Sequence, residues 1–192
     1  MKSYKLYIFD MGGVVTTTAA LEKRMSEVLC MSESDFREYS KGIFNQLSDG
    51  EISTKDFWRM FSQRSGKTVT TDWWHWLFHP VRNEQTYDII RKLKAEEKRV
   101  VCGTNTIDSH YRNHCERGDY AVFDQTYSSF LMGVSKPDVR FWQIILEAEQ
   151  VKAEDAVFVD DRQDNCDAAA SLGIHAIRFT DAQSLATALE MQ

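Results

Sequence analysis

Apolar runs alternate with stretches of helical period along most of the chain. Four runs read as strands, at 4–9, 99–103, 156–159 and 174–179, with a weaker fifth at 122–127. Between them, residues 84–98, 108–117, 138–150, 165–172 and 182–190 carry their apolar positions at helical spacing. Pro137 suits a helix start and Gly173 a helix stop. Strands that are apolar throughout, interleaved with helices, predict a doubly wound, Rossmann-like α/β fold whose parallel sheet is covered on both faces.

The alternation fails between about Thr16 and Gln85, where the pattern is helical only. Phe36, Tyr39, Ile43 and Leu47 recur at helical spacing, and Ser53 precedes a run with Phe57, Trp58 and Phe61. The aromatic stretch WWHWLF at 73–78 reads as core of this region, with one tryptophan facing a substrate cleft. The sheet thus starts, pauses and resumes. This predicts an α/β core from residues 1–15 and 86–192, with a helical cap inserted at 16–85.

Composition narrows the function classes. The 192 residues, 43% hydrophobic and 27% charged, suit one globular domain with an insertion. A net charge of −6 argues against nucleic acid as partner. Lys2 and Lys5 precede an apolar run that Asp10 interrupts too early for a signal peptide. Nothing approaches the ~20 apolar residues of a membrane helix, so the expectation is a cytoplasmic protein without a membrane partner. Cys30, Cys102, Cys115 and Cys166 form no CxxC pair and read as free thiols.

Ligands of an open parallel sheet bind beyond the carboxyl ends of its strands. Asp10 follows the first strand, Thr104 and Asn105 the second, Lys136 the weak one, and Asp160 and Asp161 the next. Three carboxylates near one point call for a divalent cation, and oxygen ligands suit Mg²⁺. A hydroxyl and an ammonium can hold phosphoryl oxygens, and an ionised aspartate can attack phosphorus without a base. The set is coherent for phosphoryl transfer through an aspartyl-phosphate.

In these residues the sequence resembles the haloacid dehalogenase superfamily. FDMGGVV, VVCGTN, SKPD and FVDDRQDN stand in the order of its four motifs, and the helical insertion sits where the family's cap sits. More narrowly, FD-x-G-x-V with TNT and VDD-x-x-x-N resembles the bacterial branch that includes α-D-glucose 1-phosphate phosphatases. The resemblance implies Asp10 as nucleophile and Thr104, Asn105 and Lys136 as phosphoryl-binding groups, with Lys136 also offsetting the charge around Asp10. It implies Mg²⁺ held by Asp10, the Gly12 carbonyl, Asp161 and Asp160. A small phosphorylated metabolite would be the partner.

The sequence departs from the family's phosphatases at Gly12, where they carry a second aspartate that serves as acid and base. That function is typically worth ~10²–10⁴-fold. Gly12 keeps a carbonyl and the backbone freedom of glycine. Three readings follow: a phosphatase whose leaving group needs little help, such as a hexose 1-phosphate; a non-catalytic binding protein; or a metal-independent dehalogenase, for which Asp160 and Asp161 have no use. His110, expected to titrate near neutrality, and Glu51 are candidates to activate water. Asn105 either caps the following helix or binds phosphate, and Asp164 and Asn165 read as helix caps, Asn165 also as a group that orients the site. His110, His114 and Cys115, and His75 with His79, have zinc-like spacing but no credible full ligand set.

Overall fold

The computed structural model describes residues 4–18 and 21–190; Lys2 lies outside them. Five parallel strands form the main sheet: β1 Leu6–Phe9, β4 Arg99–Thr104, β5 Gln125–Ser128, β6 Ala156–Asp160 and β7 His175–Arg178, in the order β5-β4-β1-β6-β7. Alternate residues of β1 feed two cores. Tyr7 and Phe9 pack with α6 (Glu84–Ala95) and α11 (Ala182–Ala188). Leu6 and Ile8 pack with Phe141, Trp142 and Ile145 of α9 (Arg140–Glu149), beside α10 (Gln163–Ser171). Both faces are therefore buried, and the strands are apolar throughout for that reason.

The weak fifth strand is real but begins later than its sequence suggests, because Asp119–Val122 forms a 3₁₀ turn instead. The helix expected from Asp138 begins at Arg140. The chain crosses from β1 to β4 and β5 on one side, then to β6 and β7 on the other. Its topological switch point lies between β1 and β6, where such folds bind ligands.

Five helices follow the first strand: α1 Leu21–Val28, α2 Glu33–Ser40, α3 Ile43–Ser48, α4 Thr54–Ser65 and α5 Trp73–Trp76. Met25, Phe36, Leu47, Phe57, Phe61 and Trp74 give them a core of their own. The spacing from Phe36 to Leu47 does not run through one helix, because Gly42 at φ +77 breaks it into α2 and α3. Nor is the stretch purely helical. β2 (Thr16–Thr17) and β3 (Val81–Arg82) pair antiparallel where the chain leaves the sheet and where it returns. Two-residue strands carry no period for a sequence to reveal. Between β4 and β5 lies α7 (Asp108–Glu116), and after β5 comes the short α8 (Ser129–Met132). Among the described residues, no helix is long and apolar enough to cross a membrane.

The return strand is anchored by Asp119, which is fully buried. Its carboxylate accepts from Arg82 Nε at 2.6 Å and Arg117 Nε at 2.9 Å, and lies 2.9 Å from His114 Nδ1. Burial pushes this carboxyl up, but the bonds from His114, Arg82 and Arg117 outweigh it and hold the group below its ordinary value. Asp119→Ala should lower unfolding free energy by about 3–5 kcal/mol, since it leaves cations without their partner. Urea unfolding at neutral pH measures the loss. A depressed carboxylate stabilises fully above its unfolded pKa, so the gap between wild type and variant should hold down to about pH 4 and narrow only below it, as pH falls toward the depressed folded value.

Candidate active site

Parallel register sets the frame of the site. Phe9 of β1 pairs with Cys102 of β4 and with Val159 of β6. The next residues, Asp10, Gly103 and Asp160, therefore stand at one level across three strands. All three are acceptors for one cation. Lys136 Nζ lies 2.8 Å from Asp10 Oδ1 and 2.8 Å from Asp160 Oδ2, and donates to the Gly103 carbonyl at 2.9 Å. An ammonium has three protons, so these contacts occupy all of them. Lys136 is thus turned onto the carboxylates, with no proton left over for a phosphoryl oxygen in this state. Burial disfavours the ammonium, but Asp10 and Asp160 outweigh that and keep its pKa above the ordinary lysine value.

The loop that delivers Lys136 is held by Asn105. The Asn105 Nδ2 donates to the Lys136 carbonyl at 2.9 Å, and the Lys136 N–H donates to Asn105 Oδ1 at 2.8 Å. Asn105 does not cap α7, whose N-cap is Ile107 without a side-chain bond. Thr104 ends β4, buried, with its hydroxyl 3.4 Å from the Asn105 carbonyl.

Asp160 is fully buried. Besides Lys136 it accepts from Asn165 Nδ2 at 3.1 and 3.0 Å and from the Arg162 N–H at 2.9 Å. Asn165 is therefore an orienting residue of the site rather than a cap. Asp164 pairs with Arg162 at 2.6 Å. The Asp10 carboxyl is pushed up to about 6, chiefly by burial; Lys136 opposes the shift and Asp160 adds to it. The exposed Asp161 is also raised, by partial burial and by Asp160.

The two glycines differ in kind. Gly13 has φ +81, and a Cβ there would lie 2.5 Å from Asp161 Oδ2, so the close approach of Asp161 requires glycine. Gly12 is not in the left-handed region, so the backbone freedom of glycine goes unused there, and a Cβ would meet nothing within 4 Å.

Carboxylate oxygens of Asp10, Asp160 and Asp161 lie within 4.8 Å of one another. One ammonium leaves two of their three negative charges uncompensated. The donor set is hard oxygen and its residual charge matches a divalent cation, so these residues fit Mg²⁺.

Beside Lys136 opens a cavity of about 490 Å³, lined also by Asn105, His110, Ser135 and Asp49. His110 does not titrate near neutrality. Burial, with the nearby His114 and His75, lowers it to about 3, and its ring stacks on Phe78 at 3.9 Å between centroids. Glu51 is exposed and lies outside this cavity; the carboxylate of that loop that lines it is Asp49. Sequence spacing offered no sign of the difference, since the loop's path decides it. The histidines do not gather as zinc ligands: His114 sits on Asp119, His75 lies 3.3 Å from Glu116, and His79 is exposed. Trp74 is buried among the helices, and Trp76 is exposed.

Comparison with known proteins gives the family and agrees with the fold. A family model for haloacid dehalogenase-like hydrolases matches residues 4–173. A sesquiterpene phosphatase of Aspergillus oryzae is 25% identical over 99% of this chain and 96% of its own. A D-ribitol-5-phosphate phosphatase of Bacteroides thetaiotaomicron is 23% identical over 88% of each chain. Other curated relatives are longer proteins, of which the chain spans 12% to 43%. A HAD family enzyme of Bacteroides thetaiotaomicron, solved in complex with magnesium and inorganic phosphate, superposes with a TM-score of 0.80 at 24% identity, covering 93% of this chain and 96% of that one.

A carboxyl at about pH 6 must lose its proton to hold a cation. Apparent Mg²⁺ affinity should therefore rise ~10-fold per pH unit below 6 and level off above 7. Titration calorimetry at pH 5, 6 and 7.5 measures this, and Asp10→Asn should remove the dependence.

Proposed function

The chain belongs to the haloacid dehalogenase-like hydrolases, and from that membership and its site we propose that it is a Mg²⁺-dependent phosphatase of a small phosphomonoester. The observation that carries the reading is the cluster of Asp10, Asp160 and Asp161 around the Lys136 ammonium at the sheet's switch point. Relatives of matching length named as phosphatases support it.

In this reading an Asp10 oxygen attacks phosphorus, the bond from phosphorus to the leaving oxygen breaks, and an aspartyl-phosphate forms on Asp10. Water then attacks that phosphorus, which frees phosphate and restores the carboxylate. Asp10, the Gly12 carbonyl and Asp161 hold Mg²⁺, with Asp160 in support. When bound, the ion neutralises charge on the phosphoryl oxygens. Thr104 and Asn105 face the phosphoryl group. Lys136 shares its protons between Asp10 and Asp160 at rest, and turns to a phosphoryl oxygen as Asp10 forms its new bond. The helical insertion at 16–85 acts as a cap that keeps water from the reacting atoms.

No side chain at position 12 protonates the leaving oxygen. Substrates whose leaving group carries the departing charge well are favoured, which brings sugar 1-phosphates such as glucose 1-phosphate to the front. A metal-independent dehalogenase would have no use for the three-carboxylate cluster. A binding protein without turnover is the rival that an assay must exclude.

Phosphate release from a panel of sugar and polyol phosphates should require Mg²⁺ and cease with EDTA or with Asp10→Asn. Equal release by wild type and Asp10→Asn would sink the enzyme reading. The empty space beside Gly12 has room for a carboxylate. Gly12→Asp should therefore raise turnover of ordinary alkyl-alcohol phosphates by ~10²-fold, with a smaller gain on sugar 1-phosphates.

A further inference from the structure

A second groove, of about 470 Å³, lies between α6, the 3₁₀ turn at Asp119–Val122 and the return strand β3. None of its lining residues lines the cavity beside Lys136. Its charged lining residues are Arg82, Arg91 and Lys94, and no carboxylate joins them, on a chain whose net charge is −6. Phosphoryl transfer at Asp10 has no use for three cations there.

Helix geometry and inner partners set these cations in place. Tyr87, Arg91 and Lys94 are spaced i, i+4 and i+7, which puts them on one face of α6. Tyr87 is the floor. It is buried, and its hydroxyl donates to the Asp119 carbonyl at 2.9 Å. The guanidinium carbons of Arg82 and Arg91 stand 5.3 and 5.6 Å from its ring centre. Burial pushes the Tyr87 hydroxyl up to about 12, so the floor brings no negative charge. Arg82 is tethered from below, through Nε to the buried Asp119 and through Nη2 to the Arg117 carbonyl at 2.8 Å. Lys94 Nζ lies 2.9 Å from one oxygen of Asp124, whose other oxygen accepts from the Val100 N–H of β4 at 2.9 Å. Arg91 pairs with the exposed Asp88 at 2.8 Å, a surface contact that is worth little and readily exchanged. These bonds use two of the five donors of Arg82 and one of the three of Lys94.

Tethered cations above a neutral floor select by chemistry. The volume is that of a small ligand. A lone carboxylate meets one cation of the three. Arg91 and Lys94 stand about 4.5 Å apart along the helix axis. Two adjoining phosphoryl groups offer oxygens to both and to Arg82, in the paired fashion that guanidinium groups favour. Tyr87 is covered, so no ring face is open for a base to stack on. We infer that this groove binds a diphosphate, recognised by its paired phosphoryl groups, where the helical segment returns to the sheet. Arg82 belongs to β3, so the bound anion adds a tether to the strand that Asp119 already fastens. Free pyrophosphate and the diphosphate of a nucleotide share this chemistry.

The test is titration calorimetry of the whole chain with pyrophosphate, ADP, phosphate and sulfate, in EDTA. Without a metal the Asp10, Asp160 and Asp161 cluster keeps excess negative charge and repels anions. Pyrophosphate should bind at one site, at least ~10-fold more tightly than phosphate or sulfate, the weight of an added hydrogen bond to a charged group. Arg91→Ala and Lys94→Ala should each weaken it ~10-fold, and Arg91→Glu further. Equal melting temperatures of the free wild type and variants verify that the loss is local. Asp10→Asn should leave the affinity unchanged. ADP binding as tightly as pyrophosphate would uphold the site as one for a nucleotide's diphosphate, and weaker ADP binding as one for the free diphosphate. Loss of binding in Asp10→Asn would place the anion at the active site and overturn the inference. So would no binding, or equal binding of all four anions untouched by the groove substitutions, which marks an adventitious ion only.

Discussion

Lys136 carries a full charge into a place almost closed to water, and its three acceptors come from one rung of the sheet. Burying an isolated ammonium costs several kcal/mol, as does burying each carboxylate beside it. Together they offset one another, provided every proton finds a lone pair. The parallel register of β1 with β4 and β6 meets that condition by bringing Asp10, Gly103 and Asp160 to one level. The remaining features of the site, from the raised Asp10 carboxyl to the excess negative charge left for a cation, follow from two buried carboxylates sharing one buried ammonium with the Asp161 carboxylate beside them.

Much of this was legible in the sequence because the sheet and its chemistry share one signal. A buried parallel strand is an apolar run, and the polar residue that ends it lies on the ligand edge. Asp10, Thr104, Asp160 and Asp161 were found that way. Lys136 is found by its place in SKPD, and the resemblance sets its charge against Asp10, but no spacing says that its three protons are used up on Asp10, Asp160 and the Gly103 carbonyl. Gly12 and Gly13 look alike in the sequence. One is required by the approach of Asp161, and the other borders empty space. His110 lies near the site as its position implied, but its neutral state depends on Phe78 and the neighbouring histidines, which only the folded chain brings together. Asp49 and Glu51 differ by two places in one loop, and the seat of Gly50 on α8 decides which of them lines the cavity.

The helical segment has an apolar cluster of its own, which Ile107 at the start of α7 joins. β2 and β3 tie its two ends together. The buried Asp119 fastens the return strand through Arg82. On another side, Asp72 accepts from Ser109 Oγ at 2.7 Å and from Arg112 at 3.1 Å, which joins the segment to α7. Beside these polar fastenings stand two apolar ones, Ile107 within the segment's cluster and Phe78 stacked on His110. Together they fix where the segment stands over the strand ends, while its apolar cluster stays distinct from the two that flank the sheet.

Asn105 does more than line the site: it holds the Lys136 loop in register. Its side-chain amide presents one donor and one acceptor to the backbone of Lys136, as a neighbouring strand would. The sheet in effect gains one further rung, made from a side chain, just past the point where β4 stops. A loop residue is thereby registered like a strand residue. The segment between β5 and α9 is also held at Ser129, whose hydroxyl accepts from the Thr106 N–H at 3.0 Å and lies 2.8 Å from the Ser48 carbonyl. A single amide thus sets the position of the ammonium from outside the sheet's own ladder.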